Sequence, residues 1–283
     1  MKKVIFAGFA ALTCMQAIGQ NVYKTDFPNL PTNKIEIQAA SDDVQIIGHD
    51  RNEIIIETTA KPEQRQSAES IFPGGEREER PGDKERAQGL KPLTSAGADN
   101  TGIGLTIQKT DNKFTVVNVR SSVSGKYIFK IPNKVNLTVN EIKPWAKSAY
   151  EITGLRGELN INALNSAFVI KNVSGPVVMQ NTNGSIEIVY DKLAPEKPNS
   201  LTTVNGFIDI TFPVDVKADI NINAINGSAF TDFDIKVKTE DVNAVIPPIA
   251  PLQVFNLTGS INGGGVPFTV SAVNGDVYIR KGK

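Results

Sequence analysis

The sequence predicts an all-β protein, and three observations carry this prediction. Polar and apolar residues alternate at period two in short segments such as GSIEI at 184–188 and GFIDI at 206–210, which is the pattern of half-buried strands. Asn-Gly or Asn-Ser pairs, which tolerate sharp turns, begin at positions 165, 183, 205 and 226, at spacings of 18, 22 and 21 residues. Residues 160–168, NINALNSAF, are almost repeated as NINAINGSAF at 221–230.

Two architectures can use such units. Asn-Gly is a strong hairpin signal, so an antiparallel β-sandwich is the alternative. In a β-solenoid, which is parallel β-helix-like, each coil of about 20 residues stacks on the one before. The near-repeat favours the solenoid, because its copies keep the same order of inside and outside residues about three coils apart, and hairpin partners need no such likeness. We therefore predict a single-chain β-solenoid.

The first residues, MKKVIFAGFAALTCMQAIGQ, have a basic head, a short apolar run and a small-x-small cleavage site. This pattern predicts a signal peptide over residues 1–19, cleaved after Gly19 to leave Gln20 first. Lipidation at Cys14 is a rival interpretation, but Ala11 and Thr13 do not fit the usual lipobox. We expect an exported protein in the periplasm, on the outer surface or secreted.

Composition excludes several classes of function. The single cysteine lies in the predicted signal peptide, so the mature chain must be held by packing without disulfides. Without the two lysines of the signal, 28 basic residues face 30 acidic ones, a balance that argues against nucleic acid as a partner. No later run of 18 apolar residues exists, so we predict no transmembrane segment in the mature chain. No motif calls for a cofactor.

The pattern from 20 to 283 predicts one domain with an interruption. Residues 34–59 look like an early coil with Ser41, Asp42 and Asp43 in the turn. Residues 61–100 are rich in charge and poor in large apolar side chains, which predicts a polar, mobile loop with room for a short helix at 83–88. Strands are predicted to resume at 104–107, 114–119, 127–131 and 135–139.

The apolar residues before three of the turns align with one another, and we expect them to point inward: Leu159, Ile161 and Leu164; Ile220, Ile222 and Ile225; Phe268, Val270 and Val273. The alternation then points four asparagines outward, namely Asn160, Asn162, Asn221 and Asn223, and these form the candidate binding face. Fifteen of the 25 asparagines lie from residue 151 onward, many at the turns. Stacked coils would bring turn asparagines together, where their amides can hydrogen-bond in ladders.

The order of several segments resembles the bacterial β-strand-repeat proteins grouped as adhesins, a domain family of unknown function. The segments are SDDVQIIGHDRNEIII, KYIFKIPNKVNLTV, ITGLRGELNI, KNVSGPVVMQNTNGSIEI and AVNGDVYI, and together they span most of the mature chain. This resemblance implies an envelope or secreted β-solenoid, and the adhesin label of the family is itself inferred from shape.

Candidate catalytic groups are few. His49 is the only histidine, so a catalytic triad or a multi-histidine metal site would need it beside a nucleophile or further ligands; we interpret it as an exposed turn residue. Asp42, Asp43 and Asp50 could suggest the paired carboxylates of a polysaccharide-cleaving β-helix, but a polar turn explains them equally well.

The remaining motifs have ordinary structural interpretations. The glycines at 263–265 lack the helix and Lys-Ser/Thr of a phosphate loop, so they predict a flexible turn. Trp145 could stack on a sugar, but beside proline it is interpreted as a packing residue. We expect Arg280, Lys281 and Lys283 to block the open edge of the last coil.

The sequence therefore predicts an exported, non-enzymatic β-repeat protein that presents a surface for binding, adhesin-like in the broad sense, with an unknown surface glycan or envelope protein as partner. An envelope regulatory or assembly partner is one alternative. A carbohydrate-active enzyme of the β-helix type is the second. No metal site is predicted.

Overall fold

The structure is a computed structural model, and it describes residues 21–38, 41–59, 99–119, 123–142, 147–195, 197–238 and 254–283. The predicted signal peptide, most of the predicted loop at 61–100 and Trp145 lie outside these ranges, so the expectations for them stay predictions.

The described residues form β-strands and connecting turns, with no helix among them. In chain order the strands are β1 Val22–Asp26, β2 Lys34–Gln38, β3 Ser41–His49, β4 Glu53–Thr58, β5 Leu105–Lys109, β6 Lys113–Asn118, β7 Val123–Pro132, β8 Asn136–Glu141, β9 Ala149–Thr153, β10 Leu159–Ala163, β11 Ala167–Val173, β12 Val177–Asn183, β13 Ile186–Tyr190, β14 Asn199–Asn205, β15 Ile208–Phe212, β16 Ala218–Ile225, β17 Ala229–Thr231, β18 Ile235–Val237, β19 Val254–Ile261, β20 Val266–Asn274 and β21 Val277–Lys281. The all-β prediction is confirmed.

These strands make two large mixed sheets. Sheet A has ten strands in the order β1-β4-β7-β3-β9-β11-β13-β15-β21-β17. Sheet B has eleven, in the order β18-β19-β16-β20-β14-β12-β10-β8-β2-β6-β5. From β8 to β15 the chain alternates between sheet B and sheet A, and each strand pairs in parallel with the strand two places along the chain.

Alternate residues of both sheets point inward and form one hydrophobic cluster. Tyr190 and Phe212 on sheet A meet Phe268 on sheet B, with ring centroids 5.8 Å and 5.0 Å apart and the rings edge to face. Such contacts stabilise an interface beyond the burial of the rings themselves. Apolar packing between the two sheets is thus the main support of the described part of the chain, which contains no cysteine.

The inward residues follow a strict alternation, which corrects part of the predicted core. Leu159, Ile161, Ile220, Ile222, Phe268 and Val270 are buried as expected. The third member of each predicted set, Leu164, Ile225 or Val273, is only half-buried. Its neighbours Ala163, Ala224 and Ala272 are buried instead, because residues at even spacing along a strand share a face.

The stacking order departs from the chain order at both ends of the sheets. The pair β6 and β7 lies outside the pair β2 and β3, while β20 and β21 lie between the earlier pairs β14–β15 and β16–β17. The two copies of the near-repeat, on β10 and β16, are therefore four strands apart rather than the three expected from their separation in sequence.

Antiparallel strands cover three of the four sheet ends in the described part of the chain. Sheet A ends in β4 and β1 on one side, and sheet B ends in β5 on one side and in β19 and β18 on the other. Short or covered edges limit pairing with other chains. The fourth end of sheet A is the three-residue strand β17, which pairs in parallel with β21.

The predicted turns mostly fall between strands. The Asn-Gly and Asn-Ser pairs beginning at 165, 183, 205, 226 and 274 all lie where the chain passes from sheet B to sheet A. In contrast, Ser41, Asp42 and Asp43 open strand β3 instead of forming a turn, and their pairing with β7 shifts register there. Residues 99 and 100, the last two of the predicted loop at 61–100, lie in no strand, and the Asp99 carboxylate accepts the amide hydrogens of Thr101 and Gly102.

Candidate binding face

The four candidate asparagines point outward from sheet B, as predicted. Asn160 and Asn162 lie on β10 and alternate with buried residues, and Asn221 and Asn223 do the same on β16. Three strands, β12, β14 and β20, separate the two pairs in the sheet. At about 4.8 Å per strand, the pairs are roughly 19 Å apart on one face.

The strand register of sheet B places mostly polar, uncharged side chains between the two asparagine pairs. One row crosses seven strands and contains Asn140, Asn162, Gln180, Thr202, Ser271, Asn223 and Asn256. The adjacent row contains Thr138, Asn160, Val178, Ser200, Thr269, Asn221 and Thr258. We call these fourteen positions the amide face. It extends over roughly 29 Å across the strands, and Val178 is its one apolar member.

Much of the hydrogen-bonding capacity of the amide face is open to a ligand. Within the described part of the chain, no hydrogen bond engages the side chains of Asn162, Asn221 or Asn223. Asn160 is the exception among the four, since its Nδ2 donates to Glu158 Oε1 at 3.1 Å. A primary amide both donates and accepts, so each open side chain can meet either kind of group on a ligand.

Charged residues stand at the margin of the amide face and are paired there. Lys197 contacts Glu158 at 2.7 Å, and its hydrogen bond, followed by that of Asn160, lowers the pKa of the Glu158 carboxyl. Lys238, just after β18, contacts Asp219 on β16 at 2.9 Å and through this hydrogen bond lowers the pKa of the Asp219 carboxyl. In each of these two ion pairs, the charge at the margin is compensated by that of its partner.

The predicted asparagine ladder is confirmed beside the amide face. Nδ2 of Asn183, Asn205, Asn274 and Asn226 donates to Oδ1 of Asn165, Asn183, Asn205 and Asn274 respectively, at 2.7–3.0 Å. The glycines that follow stack in the same order. A Cβ on Gly275 would lie 2.0 Å from the carbonyl oxygen of Gly206, so this turn has no room for a side chain. The ladder joins the successive turns that follow these strands of sheet B.

His49 is placed where it cannot readily exchange protons with a surface ligand. It ends strand β3, its Nδ1 accepts the amide hydrogen of Arg51 at 3.1 Å, and its Nε2 is buried. Burial first, and the nearby Arg51 charge second, lower the pKa of the imidazole below its ordinary value. His49 is therefore half-buried rather than the exposed turn residue that we expected.

The candidate carboxylates are not brought together. Asp43 and Asp50 stand at opposite ends of β3, seven residues and roughly 23 Å apart, whereas paired catalytic carboxylates are about 5–9.5 Å apart. Asp50 accepts a 2.8 Å hydrogen bond from Asn133 Nδ2. The side chain of Asp42 lies outside the described ones. In the described residues, no group of three or more His, Cys, Asp or Glu side chains is placed to hold a metal ion.

The glycines at 263–265 form the turn between β19 and β20 that was predicted, and Gly265 donates its amide hydrogen to Asp219.

Arg280 does not block an open edge of sheet A, because β17 pairs with β21 on its outer side. Arg280 Nε instead binds both oxygens of Asp209 at 2.9 and 3.0 Å. The C-terminal strand became an inner strand through the reordering described above.

Sequence reasoning missed ten of the fourteen residues of the amide face. Gln180, Thr202 and Ser271 alternate with buried residues just as the asparagines do, so period-two alternation was a usable signal for them. The alternation could not predict that β20 is inserted between β14 and β16. This insertion joins the two asparagine pairs into one surface.

One described pocket lacks ionisable groups, and no helix among the described residues could cross a bilayer. One open pocket of about 330 Å³ is lined by Gly227, Ser228, Ala229, Val254 and Phe255, none of which is ionisable. No helix in the described ranges has the length and hydropathy needed to cross a bilayer.

Comparison with known proteins gives one distant likeness. No protein-family model matches the chain, and no curated protein matches it. The chain is similar to the crystal structure of a "putative cell adhesion protein" from Clostridium sporogenes, at 9% sequence identity and a TM-score of 0.41, over 92% of this chain and 99% of that chain. A TM-score this low carries no argument about function. Membership of the adhesin-like family stays a prediction.

Proposed function

We propose that the chain is an exported, non-enzymatic β-repeat protein that binds an extended, uncharged surface ligand on the amide face, adhesin-like in the broad sense. The observation that carries this proposal is the absence of charge from fourteen adjoining outward positions. The whole chain is 21% charged, and about 25–35% is the charged share recommended for a soluble surface, so roughly three to five of fourteen positions would carry a charge by chance.

The chemistry of the amide face favours a glycan as the ligand. Amides and hydroxyls donate and accept hydrogen bonds, and a neutral polysaccharide offers the same two capacities along its length. A surface roughly 29 Å long suits a polymer better than a small molecule. Protein interfaces have cores enriched in aromatic and apolar residues, and Val178 is the only apolar side chain here. An envelope regulatory or assembly partner is therefore the second candidate.

The architecture that we propose for residues 20–283 is one parallel β-solenoid with coils of about 20 residues. The parallel alternation between the sheets from β8 to β15 supports it. So does the spacing of in-register residues, since Leu159 pairs with Val177, 18 positions later. Antiparallel pairs, which a β-sandwich would need throughout, occur in the described residues only near the sheet ends.

Non-enzymatic binding is supported by the placement of the ionisable groups. The buried Nε2 of His49, the wide separation of Asp43 from Asp50 and the lack of ionisable groups around the described pocket argue against an acid–base pair at these positions. These observations count against the carbohydrate-active enzyme.

The test is binding to an array of neutral and acidic glycans by the mature protein and by a variant in which Asn160, Asn162, Asn221 and Asn223 are all alanine. We expect the wild-type protein to bind neutral polymers without shortening them and the variant to bind at least tenfold more weakly. The matched control changes four outward residues of sheet A to alanine, Glu151, Lys171, Glu187 and Thr211, and should bind normally.

Other outcomes would select another function. Capture of an envelope protein with no glycan binding would favour the assembly partner. Release of shortened glycan by the wild-type protein, lost on changing Asp43 and Asp50 to asparagine, would establish the enzyme instead.

Export is tested separately by the intact mass of the protein recovered from the producing cells. Cleavage after Gly19 predicts a chain that begins at Gln20 and carries no lipid. A diacylglyceryl adduct on Cys14 would contradict this expectation.

A further inference from the structure

Three aromatic side chains from neighbouring strands form a cluster on the outward face of sheet A, opposite the amide face. Phe207 directly precedes β15, Tyr278 lies on β21 and Phe230 on β17. The rings of Phe230 and Tyr278 are stacked, with centroids 5.3 Å apart and planes 12° apart. The ring of Phe207 meets Tyr278 edge to face at 6.4 Å. We call this the aromatic cluster.

The cluster exposes aromatic surface that packing within the described chain does not use. Phe207 is 38% exposed and Phe230 is 51% exposed. Since β17 is the last strand of sheet A in the described residues, no further strand there covers the outer side of the Phe230 ring. Large aromatic side chains usually bury most of their 150–250 Å² of surface. This exposure is therefore unusual, and a bound ligand would bury the exposed rings.

Polar groups around Tyr278 are held in fixed positions. The guanidinium of Arg280 lies over the Tyr278 ring, 5.3 Å from its centroid, and is anchored through Nε to both oxygens of Asp209. The terminal amino groups of Arg280 are not used in these bonds and remain available to a ligand. On the other side, Asp276 accepts the Tyr278 hydroxyl at 3.1 Å and the Ser228 amide at 2.8 Å.

The charge around the aromatic cluster does not suit an anionic ligand. Asp209, Asp232 and Asp276 bring three carboxylates, whereas Arg280 and Lys281 bring two positive charges. A phosphate or a polyanion would meet a surface that is balanced or slightly negative. Carboxylates that accept and a guanidinium that donates are instead complementary to hydroxyl groups.

The size of the exposed aromatic surface argues against a protein partner. Three partly exposed rings offer on the order of 200 Å², while a specific protein interface takes about 800 Å² from each partner. The outward neighbours of the cluster on sheet A include Glu187 and Thr211, which do not extend the apolar area.

We propose that Phe207, Tyr278, Phe230 and Arg280 form a binding site for a short neutral saccharide, separate from the amide face. A pyranose has an apolar side of C–H groups that can pack on aromatic rings, and a rim of hydroxyls that can pair with Arg280 and with the neighbouring carboxylates. Sites of this kind combine aromatic surface with a few fixed polar groups. The site lies on the opposite sheet from the four asparagines, so its existence does not depend on what the amide face binds.

The test is titration calorimetry of the mature protein with short neutral oligosaccharides of glucose, galactose, mannose and N-acetylglucosamine. We expect at least one to bind, and Phe230→Ala and Phe207→Ala each to weaken it at least tenfold. Arg280→Lys keeps the charge but loses the planar donor set, and should weaken it several-fold. Val214→Ala removes an apolar side chain that is 59% exposed elsewhere and should leave the affinity unchanged.

Three results would overturn the proposal. One is neutral-sugar binding that survives both phenylalanine substitutions in folded protein. Another is binding only of uronic-acid oligosaccharides that is abolished by Arg280→Lys, which would make the ligand anionic. The third is loss of the same binding in the four-asparagine variant with the phenylalanine variants unaffected, which would place the sugar on the amide face and leave the function proposed above standing.

Discussion

Asn274 donates a hydrogen bond from Nδ2 to Oδ1 of Asn205 at 2.9 Å, although 69 positions separate the two residues in the chain. The contact exists because β20 pairs in parallel with β14. Asn205 in turn donates to Asn183 at 2.7 Å, so it is an inner rung of the asparagine ladder. An amide is needed at each inner rung, because it must donate on one side and accept on the other.

Replacing Asn205 by alanine should lower the free energy of unfolding by about 1–2 kcal/mol. The substitution removes two side-chain hydrogen bonds, each with a net contribution of about 0.5–1.5 kcal/mol, at an exposed turn. Urea denaturation measures the change. Asn162→Ala, an exposed asparagine outside the ladder, is the control and should cost less than about 0.5 kcal/mol; an equal loss for both would mean that the ladder contributes nothing.

The glycines that follow the ladder asparagines at 183, 205, 226 and 274 should be harder to replace than the asparagines themselves. In Gly275→Ala the new Cβ would lie 2.0 Å from the backbone carbonyl oxygen of Gly206 in the adjacent turn, so the two turns must move apart, at a cost of about 3 kcal/mol or more. Gly263→Ala is the matched control: Gly263 has a φ of +88° but nothing within 4 Å of the added Cβ, which predicts about 1–2 kcal/mol of backbone strain. Chemical denaturation of both variants decides the order, and a smaller loss for Gly275→Ala would contradict the stacked-turn geometry.

The sequence predicted local features of this fold better than its long-range order. Alternation located Ile161, Ile222 and Val270 correctly in the core, because side-chain direction in a strand depends only on residue parity. The Asn-Gly pairs located the turns for a similarly local reason. Parity also shows why Leu164 was wrongly assigned to the core: it is five residues after Leu159, so the two point to opposite faces.

The order of strands in the sheets was not predictable in this way. Whether β20 pairs with β14 or with a later strand depends on contacts between residues far apart in sequence, and the repeats are alike enough to fit either neighbour. The same ambiguity hid the extent of the amide face, since only the four asparagines of the near-repeat drew attention. The aromatic cluster was hidden for the same reason, because Phe207 and Phe230 become neighbours of Tyr278 only through the insertion of β21.

Ile222 and Asn223 provide a test of the strand register in β16. Ile222 is 2% exposed and pairs with Val270 and Leu257, whereas Asn223 points outward. Ile222→Asp places an unpaired carboxylate in the core, which costs several kcal/mol out of a typical stability of about 5–15 kcal/mol. We expect this variant to unfold and Asn223→Asp to melt close to the wild-type temperature, as followed by far-UV circular dichroism. Equal tolerance at the two positions would show that the register is wrong.

The stability of the fold should fall as the pH drops through the range in which histidine titrates, and His49 should be the cause. Its pKa is lowered in the folded protein, by burial first and by Arg51 second, so the unfolded chain binds a proton more readily than the folded one. The contribution of His49 to the free energy of unfolding is then fully present above the unfolded pKa of about 6.5. It is lost as the pH falls through the lower folded value. The chain has a single histidine, so no other imidazole contributes in this pH interval. The pKa values of the Glu36 and Glu158 carboxyls are lowered from 4.5, so these two groups stay ionised there.

Urea denaturation at about pH 7.5 and about pH 5.5 measures this loss. His49→Gln keeps a neutral polar side chain of similar size and cannot gain a proton, so its stability should change less between the two conditions than that of the wild-type protein. The proton NMR signal of the imidazole Hε1 gives the folded pKa directly, and we expect it below 6.5. A folded pKa above 6.5, or the same loss of stability in His49→Gln, would show that the half-buried imidazole is not held in its neutral state at the end of β3.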